Sequence, residues 1–124
     1  MNKDSKWMQM ALTQAEKAES LGEVPIGAVL IKDETLIAQA YNQPILASDP
    51  TAHAEIKLLQ AAGKITNNYR LTGSTLYVTL EPCIMCLGAI MHARISQVIF
   101  GAYDPKTGVC GSCEDLTKLN CFNH

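Results

Sequence analysis

The sequence predicts an α/β protein built on a mixed sheet, with an N-terminal hairpin followed by parallel strands. Two apolar runs of strand length, residues 26–31 and 35–40, flank the short polar turn 32–34, a pattern typical of a β-hairpin. From residue 75 onward, strand-like and helix-like segments alternate, which favours parallel neighbouring strands with helices packed on the sheet. At 124 residues the chain has the length of one domain, which we expect to span residues 1–124.

The first predicted element is an amphipathic helix. Asp4 or Ser5 can cap its first turn, and Gly22 is a natural stop because glycine readily adopts the left-handed conformation that ends helices. The apolar positions that recur at helical spacing are Trp7, Met8, Ala11, Leu12, Ala15 and Ala18.

The hairpin and the segment after it carry two informative residues. Gly27 lies inside the first strand, so we expect some other group to approach the backbone closely there. The polar connection over residues 41–50 leads to the next helix and is expected at the mouth of any site that this helix forms. Asn42 in that connection has two interpretations that the pattern leaves open: a turn residue bonded to its own backbone, or a contact to substrate.

The remaining elements alternate in type. The second helix is predicted over residues 51–62. Residues 75–80 are rich in β-branched and aromatic side chains and predict a buried strand. Pro82 is favoured at the first position of a helix, so a third helix is predicted from there to about Arg94, and residues 97–101 form a last strand.

Composition and charge exclude several classes of protein. Charged residues make up 18% and apolar residues 48% of the chain, which argues against extensive disorder. Residues 1–6 are polar and no apolar run reaches the length of a membrane span, so we expect a cytoplasmic protein with no membrane partner. The net charge of −2 gives no support to non-specific binding of nucleic acid, so any recognition of RNA must be local.

Two short motifs together predict a metal site. Cys83 and Cys86 are three positions apart behind a proline, so a helix start would direct both thiols to one side. His53 supplies a third ligand, and Glu55 can reach the remaining side of the ion. Nitrogen and sulfur are ligands that zinc prefers in proteins, so the sequence predicts a zinc site.

The number of ligands distinguishes a catalytic ion from a structural one. Structural zinc sites close with four protein ligands, whereas catalytic sites use three and leave a position open to water. Three ligands beside a free carboxylate therefore favour an enzyme over a purely structural ion. The pairing of H-x-E with P-C-x-x-C is also the known signature of zinc nucleobase deaminases, in which the glutamate moves protons and is not a ligand.

Three further cysteines lie outside these motifs, and an odd number fits a reducing compartment better than a disulfide framework. Cys110, Cys113 and Cys121, together with His124, present the ligand types of a second zinc site. Ordinary reduced thiols are the alternative interpretation, and the spacing leaves both open.

Longer stretches of the chain resemble the bacterial tRNA-specific adenosine deaminases, a family of the cytidine deaminase-like superfamily. The resemblance covers nearly the whole chain and implies a three-layer α/β/α cytidine deaminase-like fold. It further implies a homodimer with one Zn²⁺ per subunit that converts the wobble adenosine to inosine in the tRNA anticodon stem-loop. The matching stretches are residues 23–28, 49–52, 53–55, 81–86 and 100–108.

The resemblance implies a role for each matching position. The residues implied as zinc ligands and proton shuttle are those that the spacing already singles out. The other matching positions are implied to hold the base, to line its pocket or to contact the RNA. The ligands are His53, Cys83 and Cys86, the shuttle is Glu55, the base-holding positions are Asn42 and the backbone at Ala54, the pocket wall is Ile26, and the loop that meets the RNA carries Asp104.

These roles imply a hydrolytic deamination. Glu55 would take a proton from the attacking water, deliver it to N1 of adenine as C6 is attacked, and later protonate the departing ammonia. A stacked base cannot enter such a pocket, so a loop with splayed bases is the natural substrate. Lys106, beside Asp104, is the cation that we nominate for contact with phosphate.

Three other functions fit parts of the pattern. A deaminase of a free guanine- or cytosine-type base or nucleoside would use the same metal chemistry without RNA. A non-catalytic, zinc-stabilised RNA-binding module would not need Glu55. A redox protein acting through Cys110 and Cys113 would not depend on a chelatable metal.

The resembled family continues beyond the position of His124 into a further strand and a C-terminal helix. We therefore expect this sequence to lack those two elements. The strand over residues 97–101 would then be an open edge of the sheet.

Overall fold

A computed structural model describes residues 3–111 and shows a four-stranded sheet between helices on both faces, which confirms the predicted three-layer α/β/α fold. Within these residues no helix is both long and apolar enough to cross a membrane. The elements in chain order are α1 (Lys3–Ser20), β1 (Gly27–Lys32), β2 (Thr35–Tyr41), α2 (Pro44–Ala47), α3 (Ala54–Thr66), β3 (Thr75–Leu80), α4 (Ile84–His92) and β4 (Gln97–Ala102).

The sheet is mixed, with the strand order β2-β1-β3-β4. Strand β1 runs antiparallel to β2 and β3, whereas β3 and β4 are parallel, with Tyr77 opposite Ile99. Both the hairpin and the parallel pair are therefore confirmed. Asp33 and Glu34 form the hairpin turn with φ of 51° and 60°, the left-handed conformation that suits the twist of the two strands. Among the described residues, β3 is the one strand that pairs with β4.

Alternation along the strands divides the core into two parts. On one face of the sheet, Val29, Ile31 and Tyr77 pack against Trp7 and Ala11 of α1. On the opposite face, the intervening strand residues pack against α3 and α4. The buried side chains of this second part include Ala28, Leu30, Leu58, Leu76, Val78 and Ile90.

Helix α1 ends where glycine predicted its end. Gly22 has a φ of 82°, and its N–H donates to the carbonyl of Glu19. The N–H of Glu23 donates to the carbonyl of Ala18. These two bonds form a Schellman motif, which satisfies carbonyl groups that the helix itself leaves unpaired.

Helix α2 corrects the prediction of a loop throughout residues 41–50. The buried carboxylate of Glu23 accepts the N–H groups of Ile45 and Leu46 at 3.2 and 2.7 Å, at the start of this short helix. Pro44 precedes them at the first helical position, where a proline is favoured. Because the capping carboxylate lies far back in the sequence, the local pattern carries no signal for the helix.

The two helices next to the metal motifs begin later than predicted. His53 has extended backbone and stands at the N-cap of α3, for which the pattern predicts a start at residue 51. Cys83 is likewise extended at the N-cap of α4, for which the pattern predicts a start at Pro82. The shifts change the bounds of both helices but leave the motif residues at the helix starts.

Gly27 makes the close approach that its place within a strand predicts, and the structure shows that the partner is the backbone of α1. A Cβ at this position would overlap the carbonyl oxygen of Ala11 and the backbone nitrogen of Ala15 in α1. We expect Gly27→Ala to lower the free energy of unfolding by about 3 kcal/mol, because neither backbone group can move without displacing the helix.

Gly88→Ala in α4 is the matched control for this substitution. Nothing lies within 4 Å of a Cβ at Gly88, so the free energy of unfolding should stay the same or rise by about 0.5–1 kcal/mol. Urea unfolding of the zinc-loaded proteins measures both effects. Equal midpoints for the two variants would contradict the proposed contact between β1 and α1.

Candidate metal centre and active site

The N-termini of two helices converge on one point of the molecule. His53 stands at the N-cap of α3, Cys83 at the N-cap of α4, and Cys86 in the first turn of α4. Cys83 follows closely on the carboxyl end of β3, where α/β sheets commonly place their ligands. The positive ends of the two helix dipoles therefore face a cluster that can carry negative charge on its thiols.

The donor atoms of this cluster have the spacing of a metal-binding set. The Nδ1 atom of His53 lies 3.7 Å from the Sγ atom of Cys83 and 3.5 Å from that of Cys86. Tetrahedral zinc with ordinary Zn–N and Zn–S bond lengths places a nitrogen and a sulfur ligand about 3.6 Å apart. The three side chains thus fit a zinc ion, and within residues 3–111 they are the one group of this kind.

The two thiols differ in their readiness to lose a proton. A hydrogen bond from Cys86 lowers the pKa of the Cys83 thiol to about 5. The Cys86 thiol donates that bond and is buried, so its own pKa is raised. Cys83 is therefore the readier of the two to lose its proton, and a bound zinc ion would favour the thiolate form of both sulfur atoms.

Glu55 lies beside the cluster in the first turn of α3, with only 4% of its surface exposed. Burial raises the pKa of its carboxyl group to about 7, and the charge of Cys83 acts in the same direction. A hydrogen bond from its own backbone N–H and the charge of His53 act in the opposite direction. A carboxyl group with a pKa near the working pH can both accept and return a proton.

Asn42 is buried at the start of the connection that leaves β2. Its backbone N–H donates to the carbonyl of Ile26, but its side-chain Oδ1 atom has no hydrogen-bond partner among the described residues. Of the two open interpretations, a side chain that caps its own turn is therefore disfavoured. The next residue, Gln43, donates its N–H to the carbonyl of Ala52, which ties this segment to the residue before His53.

Ile26 and Ala54 border the same region. Ile26 is half-buried and packs against the larger core cluster. Ala54 is fully buried at the first position of α3, where a backbone N–H has no acceptor within its own helix. Such an N–H is suited to bind an acceptor atom of a ligand.

The loop after β4 carries the two predicted RNA contacts, Asp104 and Lys106. The Oδ1 atom of Asp104 accepts the N–H groups of Lys106 and Thr107, and its Oδ2 atom accepts the Thr107 hydroxyl. These bonds hold the pKa of the Asp104 carboxyl group below its usual range. The structure thus gives this carboxylate a role within its own loop, while Lys106 is exposed.

Glu81 is a buried residue whose role the sequence motif did not reveal. Its carboxylate accepts backbone N–H groups from Asp104 and Cys110, on both sides of that loop. Nothing local marks this contact, because the partners lie more than twenty residues downstream. Of the four residues predicted as a second metal site, Cys113, Cys121 and His124 lie outside the described residues, so that site stays a prediction.

The family model for the cytidine and deoxycytidylate deaminase zinc-binding region matches residues 1–102. The chain therefore belongs to the cytidine and deoxycytidylate deaminase family, whose zinc-binding region contains the cluster described above. Within that family its similarity is to the tRNA-specific adenosine deaminases.

Two relatives and one solved structure show this similarity to the tRNA-specific adenosine deaminases. The chain is 57% identical over 110 residues to the tRNA-specific adenosine deaminase of Haemophilus influenzae, covering 88% of this chain and 64% of that protein. It is 46% identical to the enzyme of the same name from Bacillus subtilis, over all of this chain and 77% of that protein. A structure from studies of tRNA:A34 deaminases at the wobble position superposes with a TM-score of 0.93 and 42% identity, over 97% of this chain and 87% of that one.

A different enzyme of related fold is less similar. The guanine deaminase of Bacillus subtilis superposes with a TM-score of 0.79 and 39% identity, over 83% of this chain and 66% of that one. The chain spans between about two thirds and three quarters of the length of the two adenosine deaminases.

Loss of one thiol tests the metal centre. We expect Cys83→Ala to lose bound zinc and, with it, the part of the stability that metal binding supplies, because the site forms only in the folded chain. Zinc content by elemental analysis and urea unfolding before and after chelation measure both effects.

Cys110→Ala is the matched control, since this half-buried thiol lies outside the cluster. It should keep the zinc content of the unsubstituted protein. Full zinc occupancy in Cys83→Ala would contradict the assignment, and a zinc loss confined to Cys110→Ala would point to the second predicted site.

Proposed function

We propose that this protein hydrolytically deaminates the wobble adenosine of tRNA to inosine, with one zinc ion per subunit. The observation that carries the proposal is the buried carboxylate of Glu55 beside three donor atoms that have tetrahedral spacing. The choice of tRNA rests on the adenosine deaminases that the chain resembles.

The metal would be held by His53, Cys83 and Cys86, which leaves one position of the ion open. When bound there, zinc acts as a Lewis acid that lowers the pKa of water towards neutrality. The helix N-termini of α3 and α4 offset the negative charge of the two thiolates. The protein thus supplies an electropositive frame for an anionic ligand set.

Glu55 is the group that moves protons. Its carboxylate would accept one proton of the attacking water and deliver it to N1 of adenine as the C6–O bond forms. It would then take the remaining proton of that oxygen and pass it to the amino group as the C6–N bond breaks, which releases ammonia and leaves the carbonyl of inosine. One side chain thus serves as base and as acid. Its pKa of about 7, caused chiefly by burial, supports that double role. The position of Glu55 in the first turn of α3 fixes it relative to His53.

The base would be held by Asn42, Ala54 and Ile26. The Oδ1 atom of Asn42 is buried without a partner among the described residues, which suits a donor on the base edge. The backbone N–H of Ala54 would bind an acceptor of the ring, and Ile26 would form an apolar wall. These roles follow the family resemblance and are supported by the burial of Asn42 and Ala54 and by the partial burial of Ile26.

An RNA loop is the substrate form that this site favours. The chain has a net charge of −2, so recognition must come from local contacts near the site. Asp104 and Lys106 lie on a loop that pairs with Cys83 through a single β-bridge at Gly108, which supports their proposed contact with RNA. We further propose a homodimer in the cytoplasm, where a metal site built on reduced thiols persists.

Deamination of a free base is the second candidate, because the guanine deaminase of Bacillus subtilis shares 39% identity. Inosine formation on an anticodon stem-loop with a wobble adenosine, run beside free adenosine, cytidine and guanine, separates the two. Reaction of the RNA alone supports the proposal. Reaction of guanine or cytidine alone replaces it with the second candidate, and inactivity of the zinc-loaded protein on all four rejects both.

Removal of the proton shuttle should stop the reaction and leave the metal in place. We expect Glu55→Gln to reduce the rate of inosine formation by at least about 10²–10⁴-fold, because the amide cannot accept the proton. Zinc content should be unchanged. Glu16→Gln, at an exposed glutamate of α1, is the control. A zinc loss in Glu55→Gln would show that Glu55 is a ligand.

Asn42→Ala should weaken substrate binding more than folding. Its side-chain oxygen has no partner to lose within the described fold, so we expect little change in urea unfolding and about a tenfold weaker RNA affinity. Asn68→Ala is the control. In contrast to Asn42, the Asn68 side chain accepts a backbone N–H, that of Arg70, in a surface turn. Asn68→Ala should leave RNA affinity unchanged. Equal RNA affinities of Asn42→Ala and Asn68→Ala would show that Asn42 has a structural role and does not contact the substrate.

A further inference from the structure

A single buried carboxylate connects both sides of the loop over residues 104–110 to the end of β3. Glu81 has 3% of its surface exposed. Its Oε1 atom accepts the N–H of Asp104 at 2.9 Å, and its Oε2 atom accepts the N–H of Cys110 at 2.8 Å. Hydrogen bonds from N–H groups to a carboxylate are stronger than those between neutral groups, which compensates for burial of the charge.

The loop lies directly against the segment that carries the metal ligands. The N–H of Val109 donates to the carbonyl of Pro82 at 3.2 Å, and Gly108 forms an antiparallel bridge with Cys83. A Cβ on Gly108 would overlap the carboxylate of Glu81. Only a residue without a side chain therefore allows this contact between loop and carboxylate.

The loop also has internal order. The carboxylate of Asp104 accepts the N–H groups of Lys106 and Thr107, and the backbone carbonyl of Asp104 accepts the N–H of Gly108. Because the loop is tied within itself and tied to Glu81, the backbone at Asp104 and Lys106 is fixed relative to the segment that carries Cys83.

We propose that Glu81 is a positioning residue that sets the place of the RNA-contacting loop relative to the metal centre. It acts on RNA affinity through the loop and does not touch the reacting base. The inference rests on the proposed function for its RNA substrate, but the anchoring of the loop is measurable without any catalysis.

The test is Glu81→Gln in the zinc-loaded protein. Glutamine keeps the size of the side chain but presents an NH₂ group to one of the two backbone N–H groups, so one anchor is lost. We expect hydrogen exchange at the amide of Asp104 or Cys110 to speed up at least about tenfold relative to the β3 amides, with zinc content unchanged. RNA affinity, measured by fluorescence anisotropy with an anticodon stem-loop, should fall about tenfold. KM should rise with it, while kcat changes by less than about threefold.

Two further variants keep the test decisive. Glu23→Gln makes the same chemical change in the carboxylate that binds Ile45 and Leu46, so faster exchange should appear at those two amides and not in the 104–110 loop. Gly108→Ala displaces the loop while Glu81 stays intact, so it should give the same loop exchange and loss of affinity as Glu81→Gln. If Glu81→Gln does not fold, Gly108→Ala by itself tests the anchoring of the loop.

The outcomes separate this inference from the proposed function. Unchanged hydrogen exchange in the loop of both Glu81→Gln and Gly108→Ala overturns the inference. Zinc loss in Glu81→Gln, or a fall in its kcat at constant KM, also overturns it, because either result would assign Glu81 to the metal centre. A wild-type protein that binds the RNA but forms no inosine rejects the proposed activity, while exchange and affinity in the variants still decide the role of Glu81. If the wild-type protein does not bind the RNA, both proposals fail.

Discussion

The rest of the structure depends on the meeting of two helix N-termini at three donor atoms. Thiolates are stabilised where backbone N–H groups and helix dipoles point at them, and both α3 and α4 begin at this point. Separations of 3.5 and 3.7 Å between the imidazole nitrogen and the two sulfur atoms require both helices to be held closely. The sheet provides that support, because α3 and α4 pack on the same face of it.

Three buried glutamates show how environment separates structural from chemical carboxylates. Glu23 and Glu81 each accept two backbone N–H groups from a segment distant in sequence, the start of helix α2 for Glu23 and the loop after β4 for Glu81. Glu55 is buried to a similar degree, but burial dominates its electrostatics and raises its pKa to about 7. The first two carboxylates thus hold segments distant in sequence, whereas the raised pKa of Glu55 fits the proton-transfer role proposed for it.

Under the proposed function, these contacts would place the groups that recognise RNA next to the metal centre of a small chain with a modest net charge. One loop begins at Asn42 after β2, and the other follows β4 and carries Lys106. Each is tied to a buried carboxylate: Glu23, between α1 and β1, holds the first, and Glu81, directly after β3, holds the second. Specificity for an RNA would then depend on where these loops lie and not on the overall field of the protein.

The sequence alone determined the elements, the sheet pattern and the metal motif, because these depend on local periodicity and on residue spacing. The hairpin, the parallel strands and the ligand types of His53, Cys83 and Cys86 were all predictable in this way. Only the tertiary structure decided the short helix α2, the starts of α3 and α4, the partnerless oxygen of Asn42 and the anchoring role of Glu81. Each of these depends on contacts between residues far apart in sequence, and such contacts exist only once the chain has folded.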